Sequence, residues 1–445
     1  MKQFPITGAQ LSDWSGAYQA SAERQLATLA LSKTAINDVM FVPQAAFKMR
    51  QKFSVEIPTL EVTNQEASGR CWLFAATNVL REKIANDLNL ESFELSQSYL
   101  AFWDKFERCN YFLESILETA ALPTGDRTVM HILSTGVHDG GQWDMFANIV
   151  RKYGVVPKDV YDETYQSSNT RNMNAQLNRA LKVAAAKLRK MTAEKADEAA
   201  IQTEKNKALD AIYGFLCSCY GEPPKAFDFE FVDKDKVYHI EKDLTPLTFA
   251  ERYVGDLLDQ IVSIINAPTA DKPYHKTYTI RLLGNVAEGH PVVHLNLTMD
   301  EFKSAIIAQL KAGKVVWFGS DVGHFGERTA GIWDDGSFNF SLLTGMDLAM
   351  DKANALDYGL AAMNHAMVLT GVNLDASGKP TRWKIENSWG ENSGHKGYYV
   401  MTDSWFDEYV YQAVVRKEYL SAQEMAAYEK EPKILSPWDP MGTLA

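Results

Sequence analysis

Between residues 71 and 87 the apolar positions Leu73, Ala76, Leu80 and Ile84 recur every three or four residues, the spacing that lines one face of a helix. The same period predicts helix over 8–40, where Leu11, Trp14, Tyr18, Leu26, Leu29 and Leu31 are separated by polar residues and Thr7 or Ser12 offers a cap. It recurs over 95–122, with Ser96 placed to cap, and over 143–153, just after Gly140 and Gly141. Residues 165–220 are rich in alanine and mixed charge, which predicts long helices with a narrow apolar stripe. The period then shortens. Alternating residues around Asp233–Lys236 predict a hairpin over 227–246. A helix follows over 251–265, then strands over 276–283 and 292–298, a helix over 301–314 capped by Asp300 and closed by Gly313, and a strand over 315–321. Further strand-like runs extend to 415, interrupted by a helix-prone stretch at 345–362, while 41–60, with Pro43 and Pro58, reads as an extended arm. Helices thus gather early and strands late, the arrangement of an α+β fold.

Composition narrows the class. With 445 residues, 46% hydrophobic and 23% charged, the chain is long enough for two or three cores of ordinary globular character. No apolar run reaches the roughly 18 residues of a membrane span, and the opening MKQFPITGAQLSDWSG lacks the apolar centre of a signal peptide. A cytoplasmic protein is expected. Four cysteines, Cys71, Cys109, Cys217 and Cys219, do not make a disulfide framework, and the Cys217/Cys219 pair has no second pair to complete a metal site. The net charge of −12 provides no basic field for phosphates, so a nucleic-acid partner is not expected, and the basic run Lys182–Lys190 reads as a solvated helix face.

Three stretches carry candidate chemistry. In NQEASGRCWLFAATNVLREK, Cys71 follows a polar turn and opens an apolar helix, where the helix dipole and free N–H groups favour a thiolate and lower the thiol pKa. Gln65, six residues upstream, offers an amide that could share an oxyanion with the Cys71 N–H. In MNHAMVLTGVN, His365 stands at the mouth of a β-prone run from Ala366 to Val372. In WKIENSWGENSGHKGYYVM, Asn387 lies in a turn between two strand-like runs, where its carbonyl could take the imidazole proton while Trp389 shields that bond. Each has a plainer reading in isolation: a buried small hydrophobe, a core histidine, a hairpin turn.

Taken together, the three stretches resemble the papain-like cysteine peptidases. The resemblance is closest to the bleomycin hydrolase and aminopeptidase C branch, through NQEASGRCW with Arg70 before the cysteine, NHAMVLTG, and a chain ending WDPMGTLA. It implies a helical half and a β-barrel half, with Cys71 as nucleophile, His365 as acid–base, Asn387 as its orienting partner and Gln65 in the oxyanion hole. It also implies that Gly140 and Gly141 pair with the substrate backbone. No metal or organic cofactor is needed. Secreted papain relatives carry a disulfide cysteine where this chain has Ser68, a departure that fits a reducing compartment. Only 70 residues precede Cys71, which argues against a removable inhibitory segment; the resemblance implies a homohexameric barrel as the safeguard instead.

His365 lies 294 residues after Cys71, far beyond the roughly 130 to 150 of the papain signature, so the excess forms an insertion. The expected division is an N-terminal helical arm over 1–60, the nucleophile-bearing half over 61–160, a mainly helical insertion over 161–275, the β-barrel half over 276–430 and a tail over 431–445. An insertion of this kind serves as a subunit contact or as a solvent-exposed scaffold. By composition the proline-rich tail should fray. By resemblance it enters the cleft, where the carboxylate of Ala445 would meet a substrate ammonium. The expected activity is an intracellular thiol aminopeptidase acting on short peptides. An endopeptidase with the same residues, or an idle binding protein that has kept the fold, are the alternatives.

Overall fold

The computed structural model describes residues 3–445. Its strands are β1 Val55–Glu56, β2 Phe227–Val232, β3 Tyr238–Leu244, β4 Ile261–Ile265, β5 Lys276–Ile280, β6 His294–Asn296 and β7 Val316–Ser320. They continue with β8 Gly326–Glu327, β9 Ile332–Trp333, β10 His365–Leu374, β11 Pro380–Glu386, β12 Tyr398–Thr402, β13 Val410–Arg416 and β14 Lys433–Leu435. All but the β2–β3 hairpin join one sheet in the order β14-β5-β6-β4-β13-β7-β10-β11-β12-β9-β8, with β1 added beside β10.

The central strands are covered on both faces, which explains why their sequences read as unbroken apolar runs rather than alternating ones. Val316, Phe318, Met367 and Leu369 point into one core, shared with Trp383, Tyr399 and Phe406 and closed by the helix Met299–Lys311. Trp317, Ala366 and Val368 point the other way, into a core shared with the helix Cys71–Asp87. Burial of each large side chain in such a core contributes about 1.5–3 kcal/mol.

Cys71–Asp87 is buried nearly all round, because it lies between the sheet and the helix Gln97–Glu118, which Ser96 caps. The stretch expected to be an insertion contains two long helices, Arg171–Ala193 and Glu198–Tyr220, packed on each other and on Gln97–Glu118. The apolar stripe of the first is Met173, Leu177, Leu181, Ala185 and Leu188.

Several sequence expectations are corrected. The stretch 251–265 is not one helix: Pro246–Tyr253 is helical, Gly255 breaks it at φ +61°, and Ile261–Ile265 is a strand of the main sheet. Its β-branched residues suit a pleated surface better than a helix. Residues 8–40 form three helices, Gly8–Ala20, Ala22–Leu31 and Ile36–Met40; Thr7, not Ser12, caps the first through a capping box with Gln10. The stretch 345–362 contains only the short helix Lys352–Asp357. The cap of Met299–Lys311 is Thr298, whose hydroxyl accepts from the Glu301 N–H, rather than Asp300. Thr298→Ala should therefore lower stability by about 1 kcal/mol while Asp300→Ala leaves it nearly unchanged, as read from urea midpoints.

The tail does not fray. β14 pairs in parallel with β5, Lys272 holds Asp439 at 3.0 Å, and Arg127 lies 3.8 Å over the Trp438 ring. Local composition carried no sign of these long-range partners.

Candidate active site

Cys71 is the first residue of its helix and 2% exposed. The backbone N–H groups of Ala366, the residue after His365, of Trp72 and of Cys71 itself favour the thiolate form of its sulfur. The nucleophile helix thus meets the sheet where β10 begins. The Trp317 indole N–H reinforces the junction by donating to the Trp72 carbonyl at 3.2 Å.

His365 Nε2 lies 2.8 Å from Asn387 Oδ1, and the Ser388 N–H donates to the same oxygen at 2.8 Å. A backbone N–H can only donate, so the atom facing it is the amide oxygen, and the imidazole proton belongs on Nε2. Nδ1 is left as the acceptor. Trp389 stacks on the imidazole, with ring centroids 4.8 Å apart, and Arg328 covers the outer face of the indole at 4.5 Å.

Gln65 is tied to the Asn387 turn. Its N–H donates to the Ser388 carbonyl at 2.9 Å, its Oε1 accepts from Ser388 Oγ at 2.7 Å, and its Nε2 donates to the Ser68 carbonyl at 2.6 Å. One amide hydrogen remains. Ser68 occupies the place of the secreted relatives' disulfide cysteine and works by hydrogen bonds: its hydroxyl donates to the Gln65 carbonyl at 2.6 Å and accepts from Arg70 Nε at 2.9 Å. Arg70 in turn pairs with Glu163 at 3.0 Å. Behind the site, Glu386 accepts from Asn78 and Arg81 of the nucleophile helix at 2.7 and 2.8 Å, fixing that helix to the strand that ends at Asn387.

The electrostatics depart from expectation. Burial pushes the Cys71 thiol up to about 11, against the pull of the three N–H groups, with the Asp139 charge adding to the rise. Burial likewise draws His365 down to about 4, opposed by the Asn387 hydrogen bond and aided by Arg328. The helix terminus is present, but desolvation outweighs it. A lone charge on either group is disfavoured by burial.

Gly140 and Gly141 are occupied by the chain's own tail. The Gly141 N–H donates to an Ala445 oxygen at 2.9 Å, and the Ala445 N–H donates to the Gly141 carbonyl at 3.3 Å. The Gly140 carbonyl accepts from Arg108 at 2.6 Å. Both positions require glycine. A Cβ on Gly140 would stand 2.6 Å from the Ala445 oxygen, and one on Gly141 would stand 2.4 Å from the Trp72 ring. Gln142 also holds the tail, donating to the Thr443 carbonyl at 2.6 Å. A cleft of about 540 Å³ runs beside it, lined by Arg108, His138, Met363 and Leu444 among others.

Sequence reasoning missed Arg108, Gln142, Ser388 and above all Asp139. Asp139 immediately precedes the glycine pair, and that adjacency was the available signal. Burial alone would raise its carboxyl, but Lys105 and the Thr170 and Asn174 hydrogen bonds hold it well below the usual carboxylate range.

Residues 5–442 match the model of the Peptidase C1-like family. Aminopeptidase C of Streptococcus thermophilus is 53% identical over 88% of each chain, and Aminopeptidase C of Listeria monocytogenes is 45% identical over 100% of each. The crystal structure of PepW from Lactobacillus rhamnosis superposes with a TM-score of 0.97 at 48% identity, covering 99% of both chains.

Proposed function

We propose that this chain, which belongs to the Peptidase C1-like family, works as a cysteine-type aminopeptidase that removes N-terminal residues from short peptides through a thioester acyl-enzyme. The observation that carries the reading is the position of Ala445 on Gly141, the glycine packed against the ring of Trp72, which follows Cys71. In this reading the tail bounds the cleft on that side, so that one substrate residue fits ahead of the scissile bond.

The proposed mechanism couples the proton transfer to the attack. As the sulfur attacks the carbonyl carbon of the first peptide bond, its proton passes to His365 Nδ1, so neither charge forms alone. The oxyanion takes the remaining Gln65 amide hydrogen and the Cys71 N–H. The imidazolium then protonates the leaving amine, and the C–N bond breaks to give the thioester. Water loses a proton to His365 and attacks the thioester; collapse releases the amino acid and returns the proton to sulfur. Asn387 keeps the imidazole in the required tautomer, and Trp389 keeps water from that bond. Ala445 is assigned the task of presenting its carboxylate to the substrate ammonium.

The proposal extends to assembly and location: a cytoplasmic homohexamer acting on peptides, without a nucleic-acid partner. The N-terminal arm supports an oligomer, because neither of its first two helices buries a residue and Leu11, Trp14, Leu26 and Leu29 are more than half exposed. Among the described residues no helix is long and apolar enough to cross a membrane.

The test compares one aminoacyl-coumarin amide with its N-acetylated form. A hydrogen bond to a charged group contributes about 1.5–3 kcal/mol, so kcat/KM should favour the free amine by about 10- to 150-fold. Preference for the acetylated compound would overturn the reading.

A further inference from the structure

The insertion helix Arg171–Ala193 does more than pack against its neighbour. Thr170, Asn174 and Asn178 follow one another at intervals of four residues, which aligns them along a single face. All three hold the loop that leads into the tail's cradle. Asn178 Oδ1 accepts from the Val137 N–H at 2.8 Å while its Nδ2 donates to the Val137 carbonyl at 2.7 Å. Asn174 Nδ2 donates to Asp139 Oδ1 at 2.9 Å, and Thr170 Oγ1 donates to Asp139 Oδ2 at 2.6 Å. The fit is close enough that a Cβ on Gly136, at φ +57°, would come within 2.1 Å of Asn178 Oδ1.

Asp139 passes this anchorage in two directions. Its carboxylate accepts from the Gly69 N–H at 3.4 Å and pairs with the buried Lys105 at 2.5 Å, and its carbonyl accepts from the Trp72 indole N–H at 2.6 Å. Gly69 lies two residues before the nucleophile and Trp72 one after it; the next residues along the chain from Asp139 are Gly140 and Gly141, against which the tail lies. A single residue therefore joins the insertion helix, the turn that presents Cys71 and the seat of Ala445.

We propose that Asp139 is a positioning residue through which Thr170 and Asn174, aided by the hold of Asn178 on Val137, set the separation between Cys71 and the tail, and so set the preference for a free N-terminus. The idea rests on the aminopeptidase reading, and it gives the insertion a role in selectivity besides any part in subunit contact. Selectivity of this kind depends on fixed geometry: a misplacement of about 1 Å can cost about 10²-fold in rate. No atom of Asp139 touches substrate in this scheme.

The test uses the near-isosteric pair Thr170→Val with Asn174→Leu, in the full chain, assayed on free and N-acetylated aminoacyl-coumarin amides with the melting temperature recorded alongside. The free-to-acetylated ratio of kcat/KM should fall by about tenfold or more, and Thr170→Ser, which retains the hydroxyl, should keep the wild-type ratio. A lowered melting temperature with an unchanged ratio would make the contacts merely structural and overturn the proposal; so would an unchanged ratio in a fully stable variant. If the double variant does not fold, Asn174→Leu alone removes one side-chain hydrogen bond to Asp139, and a wild-type ratio there is equally decisive. Failure of the underlying reading looks different: the wild-type protein itself would then show no preference for the free amine.

Discussion

Replacing Cys71 with alanine is expected to lower the hydrolysis of aminoacyl-coumarin amides by about 10⁵- to 10⁶-fold while the protein remains folded. The size of the loss follows from covalent catalysis. Without the sulfur there is no thioester, and His365, Asn387 and Gln65 have no nucleophile to serve; the remaining donors could only bind substrate and polarise its carbonyl. The fold should tolerate the change, since the side chain is small and its removal leaves Trp72, Leu73 and the helix start unaltered. Rates measured at matched melting temperature decide the matter, and equal rates in the two proteins would remove Cys71 from the mechanism. An epoxide thiol reagent gives an independent readout: it should label wild type at Cys71 and leave that position unlabelled in the variant.

Deleting residues 443–445 is expected to change selectivity by at least about 10²-fold, by two additive routes. The substrate ammonium loses the partner proposed for it, which weakens free-amine substrates. The N–H and carbonyl of Gly141, now bound to Ala445, become available to an incoming backbone, so N-blocked peptides with several residues ahead of the cleavage site gain a place to bind. Activity on such peptides should rise from background while cleavage of aminoacyl amides falls. Retention of the free-amine preference after the deletion would show that another group enforces it. Lys272 and Asp439 lie upstream of the cut, so the rest of the tail should keep its place.

The residues proposed to perform bond chemistry were legible because each needs a local context that sequence displays. A cysteine opening a helix, a histidine opening a strand and an asparagine in a turn between strands are short-range patterns, and the structure brings His365 and Asn387 to 2.8 Å, with His365 opening the strand packed against the Cys71 helix. What escaped were properties decided by distant packing. Ile261–Ile265 followed a helical pattern closely enough to be read as its continuation, and only the neighbouring strands β13 and β6 make it a strand. The thiol pKa was expected to fall because a helix terminus is local; the burial that raises it comes from residues hundreds of positions away. Asp139 looked like an ordinary turn residue, since its partners Lys105, Thr170 and Asn174 lie on two separate helices.

The hydrogen-bonded node of Ser68, Arg70 and Glu163 has a practical bearing on how the protein withstands its own chemistry. A thiol enzyme braced by cystine is caught between two needs, because the reductant that rescues an oxidised nucleophile also unfastens the brace. All four cysteines here are free, and the loop before Cys71 is held by a hydroxyl, a guanidinium and a carboxylate. Dithiothreitol can regenerate the working sulfur without loosening anything that holds it in place.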